Sequence, residues 1–206
     1  FEQLLQIRTD ITRYYTDRGY ATSGAFLPPQ DLASGIVKIQ VVEGELEKIE
    51  VQGLSRLRES YVRKRLARSA RPPLNIRNLE TALQLLQLDP LFASVRAELK
   101  AGTTPGRSVL SVNLREAPAF HGALAIENRD SPSVGSIRGS AVLSHNNLLG
   151  FGDRLSLEYG RTEGIRSYDA AYEIPLSASD TTLSLRYTQN TSRIVEGPFS
   201  ILDINS

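Results

Sequence analysis

The 206-residue chain contains no Cys, no Met and no Trp. Without Cys there are no disulfides, no thiolate zinc sites and no cysteine nucleophile. Without Met there is no initiator, so we expect residue 1 to be a processing boundary or an internal start, and the chain to be a piece of something longer. No uninterrupted apolar run approaches the roughly 18 residues of a transmembrane helix. No charged-then-apolar N-terminus reads as a signal peptide. Histidine is scarce: His121 and His145 are the two present. Both fall in strand patterns with no helical His partner, so a metal pair would lack its third ligand. They read as strand-face histidines turned toward a polar interior.

Further chemistry falls away on the same footing. No G-x-S-x-G occurs, and neither histidine has a triad context. Gly150-Phe-Gly152-Asp-Arg opens like a dinucleotide fingerprint but precedes a strand rather than a helix, so it reads as a turn. Glu43 and Glu45 flank a turn and read as solvated. With no catalytic constellation, the chain reads as a non-enzyme, and no metal or cofactor is implied.

The near-neutral total, 24 Lys+Arg against 23 Asp+Glu, hides an asymmetry. Residues 1–118 hold 17 basic and 13 acidic side chains, a net of +4; residues 119–206 hold 7 and 10, a net of −3. Helical periodicity also ends near Pro118, where period-2 alternation takes over.

Residues 1–18 read as an amphipathic helix, with Phe1, Leu4, Ile7, Ile11 and Tyr14/Tyr15 at helical spacing and Gly19 as its C-cap. After Pro28-Pro29, Gly35 to Val42 reads as a strand. Residues 45–117 then form a β-α-α-β-β unit. Its first strand is Leu46–Val51. A helix over about Arg58–Ser69 presents Leu57, Tyr61, Val62 and Leu66, and a second helix, N-capped by Asn75, is lined by Leu79, Leu83 and Leu86 and stopped by Pro90. Val95, Ala97 and Leu99 alternate with charges in the next strand. Leu110, Val112 and Leu114 do so in the last, across a Thr104-Pro105-Gly106 turn.

Beyond Pro118, Phe120, Gly122, Leu124 and Ile126 share one face, and Ile137, Gly139, Ala141 and Leu143 share another. Leu155, Leu157 and Tyr159, then Tyr168, Ala170, Tyr172 and Ile174, then Leu183, Leu185 and Tyr187 continue the alternation. Strand length, alternation and tyrosines fit an outer-membrane barrel; a soluble antiparallel sandwich gives the same alternation.

Several segments resemble one family in its own order. Ile11-Thr-Arg-Tyr-Tyr-Thr-Asp-Arg-Gly-Tyr20, Phe26-Leu-Pro-Pro-Gln30 and Val41-Val-Glu-Gly44 resemble the end of a polypeptide-transport-associated (POTRA) domain of two-partner secretion transporters, the haemolysin and filamentous-haemagglutinin exporters. Leu54-Ser-Arg-Leu-Arg-Glu-Ser-Tyr-Val62 and Pro105-Gly-Arg-Ser-Val-Leu-Ser-Val112 resemble the second POTRA domain. Glu127-Asn-Arg-Asp130 with Gly135, and Asn146-Asn-Leu-Leu-Gly-Phe-Gly-Asp153, resemble the first barrel hairpins. The resemblance implies an α+β chain: 1–45 the end of a truncated first POTRA domain, 46–117 a complete second βααββ domain, and 118–206 the first five or so antiparallel strands of an outer-membrane β-barrel. The first domain lacks its opening strand and helix. The barrel stops short of closure, and the arginine-bearing loop that the family inserts into its pore is absent from this stretch.

This resemblance implies outer-membrane protein secretion, with residues 1–117 in the periplasm and an unfolded secreted exoprotein as cargo. Cargo would be captured by β-strand addition on the sheet edge Phe92–Leu99, where Val95, Ala97 and Leu99 alternate with Arg96, Glu98 and Lys100. Those charges also read as gatekeepers that restrict which chains add. A barrel-assembly insertase or chloroplast-type importer of the same superfamily, or a soluble β-sandwich adhesion module, are the alternatives. The implied orientation sends Phe120–Glu127 outward and puts the connections at 146–152 and 175–180 on the periplasmic side. Those at 129–135 and 161–165 then lie outside, where the tail after Asn190 starts.

Two surfaces complete the reading. From Arg56 to Arg77 eight basic residues stand against Glu59 alone; Arg63, Lys64, Arg65, Arg68 and Arg71 form a basic helix patch for an acidic partner, phosphate or lipid head groups. Aromatic interleaving is almost absent, which argues against nucleic acid. The row Leu155, Leu157, Tyr159, Leu183, Leu185 and Tyr187 is expected to face outer-membrane lipid. Open strand edges lead us to expect self-association or domain swapping in water.

Overall fold

The computed structural model describes residues 2–30 and 35–195. The chain divides into two compact units, residues 1–117 and 118–206.

The first unit opens with α1 (Glu2–Asp17). Gly19, at φ 90°, turns the chain out of it, and the Tyr20 N–H closes back on the Tyr15 carbonyl at 3.0 Å. A small antiparallel pair follows, β1 (Gly24–Phe26) with β2 (Gln40–Val42). The strand expected over Gly35–Val42 is therefore only three residues long, and its partner β1 carried no alternation to reveal it. Residues 31–34 lie outside the described residues. The pairing stops at Phe26 because the chain runs into Pro28-Pro29, where backbone donors are missing. Across the loop, the Gln30 side chain substitutes for a strand partner, binding both the N–H and the carbonyl of Lys38.

The rest of this unit is β3 (Glu45–Gln52), α2 (Glu59–Ser69), α3 (Ile76–Gln87), β4 (Phe92–Ala101) and β5 (Arg107–Glu116). This is the expected βααββ order. The last strand is central: β3 runs parallel to it and β4 antiparallel. Val62 and Leu66, one turn apart on α2, are both fully buried, as are Leu110 and Val112 on β5. Leu74, Leu79 and Leu86 close the core from α3 and its entry. Each such side chain contributes about 1.5–3 kcal/mol of burial free energy. Asn75 caps α3, its side-chain oxygen accepting the Arg77 N–H at 3.0 Å and the Asn78 N–H at 3.4 Å.

The second unit is an antiparallel meander of β6 (Phe120–Asn128), β7 (Ile137–Asn146), β8 (Arg154–Arg161), β9 (Ile165–Pro175) and β10 (Thr182–Ser192), each paired with its sequence neighbour. Directly paired residues lie on the same side of a sheet, so the register decides which side chains share a face. It aligns Leu124, Ala141, Tyr159 and Tyr168 in one row, and Gly122, Leu143, Leu157, Ala170 and Tyr187 in the next. A third row runs Phe120, His145, Leu155, Tyr172 and Leu185. The rows read separately from β6 and β7 thus merge into a single apolar face. The opposite face is polar, with rows such as Ser144, Ser156, Ala171 and Arg186.

One expectation about the histidines changes here. His121 sits in the polar row beside Ser144, but His145 lies between Phe120 and Leu155 on the apolar face. The two differ in strand parity, and the period of two sends them to opposite sides.

Candidate functional site

Strand β4 is an outer strand of its three-stranded sheet, but so is β3. Among the described residues the sheet therefore has two open edges where the sequence reading named one. On β4, Val95, Ala97 and Leu99 lie opposite Leu114, Val112 and Leu110; Val95 and Leu99 pack partly buried against the core, while Ala97 between them is exposed. Arg96 and Glu98 lie opposite Asn113 and Ser111 on the other face. A register shift between Phe92 and Ser94 kinks the start of the strand, which leaves Val95 onward as its regular stretch. Lys100 reaches Glu98 at 3.3 Å. The far end of the β4–β5 hairpin is pinned by Glu47, whose carboxylate accepts the Thr103 N–H at 2.9 Å and its hydroxyl at 3.0 Å. Those Thr103 bonds, against a smaller opposing effect of burial, hold the Glu47 carboxyl below its usual range.

The basic helix is less uniformly available than its charge count implies. Arg63 pairs with Glu59 at 2.7 Å, and the Arg65 guanidinium stacks 3.6 Å from the Tyr61 ring centroid. Tyr61 in turn donates its hydroxyl to Asp89 at 2.7 Å. Lys64, Arg68 and Arg71 stand exposed. The turn acids also have partners: Tyr15 donates its hydroxyl to Glu43, and Arg107 pairs with Glu45 at 3.0 Å.

Two contacts were invisible in the sequence. The first ties residues 1–44 to the βααββ domain. The Ile76 N–H donates to the Gly19 carbonyl at 2.8 Å, the Asn75 amide to the Arg18 carbonyl and the Arg77 guanidinium to the Asp17 carbonyl, each at 3.0 Å. The N-terminus of α3 thereby caps the C-terminus of α1, and a helix terminus with donors to spare meets one with acceptors to spare. Asn75 serves both helices.

The second contact is at the end of β5. The Glu116 carboxylate, its side chain 8% exposed, accepts the backbone N–H groups of Ser55, Arg56 and Leu57 at 2.8, 2.9 and 3.0 Å. The Ser55 hydroxyl and the Arg56 guanidinium add two more bonds. Burial by itself would raise this carboxyl, but the three N–H donors and Arg56 outweigh it and hold the group down at about 2. Arg56 also donates to the Ala117 carbonyl. The loop that launches α2 is thus fastened to the last residues before Pro118.

In the second unit the six side chains expected to face lipid do share one face, and Leu124, Ile126 and Tyr168 join them. Leu124 is 86% exposed and Ile126 85%. Rings of Tyr159 and Tyr168 meet at 5.0 Å. A contiguous apolar face of this extent is not a water-facing surface of a soluble monomer. Strands of eight to eleven residues match the length needed to cross a bilayer when tilted. Among the described residues no helix is long and apolar enough to cross a membrane, and no three His, Asp or Glu converge as metal ligands.

With an open-edged βααββ domain leading into a one-sided apolar meander, the relatives are informative. The family described as POTRA domain, ShlB-type, matches residues 1–44, and the family described as haemolysin secretion/activation protein ShlB/FhaC/HecB matches residues 106–201. Most of the chain is thus similar to proteins of this haemolysin secretion/activation family. An outer membrane transporter CdiB of Dickeya dadantii is 30% identical over 175 residues, covering 82% of this chain and 30% of that protein. The heme/hemopexin transporter protein HuxB of Haemophilus influenzae is 28% identical over 160 residues, covering 75% of this chain and 28% of its own length. The chain thus spans somewhat under a third of these curated relatives. Among solved structures, CdiB from Escherichia coli superposes with a TM-score of 0.67 at 29% identity, covering 95% of this chain and 37% of that one. BamA from Haemophilus ducreyi lacking POTRA domains 1–3 superposes at 0.62 with 16% identity, covering 93% of this chain and 37% of that one; this is a likeness of fold alone.

Proposed function

We propose that this chain is the periplasmic and membrane-entry part of an outer-membrane two-partner secretion transporter. Residues 1–45 are the end of one POTRA domain, residues 46–117 a second, and residues 118–206 the first strands of a transmembrane barrel. The periplasmic domains capture an unfolded exoprotein and hand it to a pore that begins at Phe120. The observation that carries this reading is the succession, within one short linker, of an open-edged sheet and a meander with one apolar and one polar face. The apolar face meets lipid through Leu155, Leu157, Tyr159, Leu183, Leu185 and Tyr187; the polar face lines the pore.

Capture occurs by strand addition on β4. An extended cargo segment supplies the missing ladder, main-chain bonds read no particular sequence, and the alternating Arg96, Glu98 and Lys100 select against unsuitable charge patterns. The exposed cations Lys64, Arg68 and Arg71 on and after α2 meet acidic groups of the cargo or of lipid. No catalysis is involved; the work of export comes from folding of the cargo outside.

Photo-crosslinking in the full-length transporter tests the edge assignment. A photoreactive phenylalanine at Glu98 on β4 should form an adduct with the secretion domain of the exoprotein, and one at Gln52 on β3 should not. Adducts at Gln52 in place of Glu98 would move capture to the opposite edge, and adducts at neither would remove strand addition from the mechanism.

A further inference from the structure

The connection between β7 and β8 places a carboxylate where an apolar row would not tolerate one. Asp153 lies two residues before Leu155 and so on the same face, yet it is completely buried. The turn folds back over it. The Leu149 N–H donates to Asp153 at 3.0 Å and the Phe151 N–H at 3.4 Å. From the strand side, the Tyr172 hydroxyl donates at 3.0 Å, and Tyr172 is the cross-strand partner of Leu155. Asn147, at φ 67°, and Gly150 and Gly152, at φ 86° and 80°, give the reversals this fold-back requires. With the carboxylate satisfied beneath it, the turn presents apolar side chains outward: Leu148 is 48% exposed, Leu149 57% and Phe151 39%.

Turn geometry does not demand such residues. The tip of the connection between β9 and β10, at the same end of the sheet, is built from Ser177, Ser179 and Asp180, which bond to one another's backbone and hydroxyls, and its one large apolar side chain is Leu176 at the strand end, 63% exposed. The β7–β8 turn is instead a continuation of the apolar face through Tyr172 and Leu155. We propose that it is an interfacial anchor: Leu148, Leu149 and Phe151 seat in the glycerol and upper acyl region of the periplasmic leaflet. Asp153 is the positioning residue that holds them there. This fixes the depth of the first barrel hairpin in the bilayer, and it rests on the membrane reading above. A tyrosine hydroxyl at the boundary and apolar side chains below it are the arrangement an interface favours.

These residues include no cysteine, so with any cysteine elsewhere replaced by serine, single labels are introduced into the full-length transporter reconstituted in phosphatidylethanolamine–phosphatidylglycerol vesicles. An environment-sensitive fluorophore is attached through Leu149→Cys or Phe151→Cys, with Leu157→Cys as a mid-bilayer control and Ser179→Cys as the polar-turn control. Shallow nitroxide lipid should quench the labels at 149 and 151 at least twofold more than aqueous iodide does, deep nitroxide lipid should quench 157, and iodide should quench 179. Iodide quenching of 149 and 151 with 157 still in lipid overturns the anchor and leaves the membrane reading standing. Labels at 149 and 151 that neither quencher reaches are covered by protein, which also overturns it. Iodide quenching of 157 overturns the membrane reading and the anchor together. Asp153→Asn should move the 149 label toward iodide at least twofold with 157 unchanged. If that variant does not assemble, Tyr172→Phe, which removes one donor and no bulk, should give a smaller shift in the same direction. An unchanged depth at 149 in an assembled variant removes the positioning role from Asp153.

Discussion

Replacing Glu116 by Gln isolates the contact that ties the α2 entry loop to the end of β5. In the folded chain one carboxylate oxygen accepts the N–H groups of Ser55, Arg56 and Leu57, and the other accepts the Ser55 hydroxyl and the Arg56 guanidinium. A Gln amide keeps one acceptor but turns a donor toward Arg56, so donor faces donor. The native carboxyl titrates at about 2 against an ordinary 4.5, which corresponds to about 3 kcal/mol of stabilisation from the ionised form. Because the folded value lies below the unfolded one, this contribution is nearly complete above about pH 4.5 and is lost as the pH falls toward 2, with about three-fifths gone by pH 3. Hydrogen exchange of peptides spanning residues 55–66, read by mass spectrometry on the intact chain, measures it directly. At pH 7 Glu116→Gln should speed exchange by roughly 100-fold. Wild-type protection, corrected for the intrinsic rate, should decline from pH 4.5 downward while that of the variant stays flatter. Exchange within threefold of wild type at pH 7, with parallel pH profiles, would refute the reasoning.

Two further outcomes follow from the geometry. Leu157→Arg, in the middle of the apolar row, should destabilise the membrane-inserted barrel by about 2–4 kcal/mol in urea unfolding from vesicles, whereas Ser156→Arg on the polar face should cost far less; equal effects would contradict the two-faced assignment. Asn75→Ala should lower the stability of the βααββ domain by about 1 kcal/mol through the lost cap, and should also broaden spin-label distances between α1 and α3 because Arg18 loses its donor. A narrow distribution in the variant would assign Asn75 to the cap alone.

The composition break at Pro118, the βααββ order and the meander strands are written in local signals, because alternation and helical spacing depend on neighbours a few residues away. Asn75 was legible as a cap for the same reason: an Asn before an apolar-periodic run is a local pattern. Its second bond, to Arg18 across 57 residues, had no local signature. The three-residue β1 carried no alternation long enough to detect, and the strand expected at Gly35–Val42 shortened because its partner ends before two prolines. Glu116 carried no local signal either, because its partners at residues 55–57 are brought against it only by the fold.

Apolar periodicity thus told each strand which of its side chains belong together, but not which face those of the next strand share. That requires the register, a property of pairs of strands, and it merged five separate stripes into one apolar face while moving His145 onto it. Likewise, local charge density marked the helix after Arg56, but only packing divided it into paired Arg63, stacked Arg65 and the exposed Lys64, Arg68 and Arg71. The chain by itself determines which elements form. Tertiary structure decides what each element faces, because burial, register and the satisfaction of a carboxylate such as Asp153 are settled by residues far away along the chain.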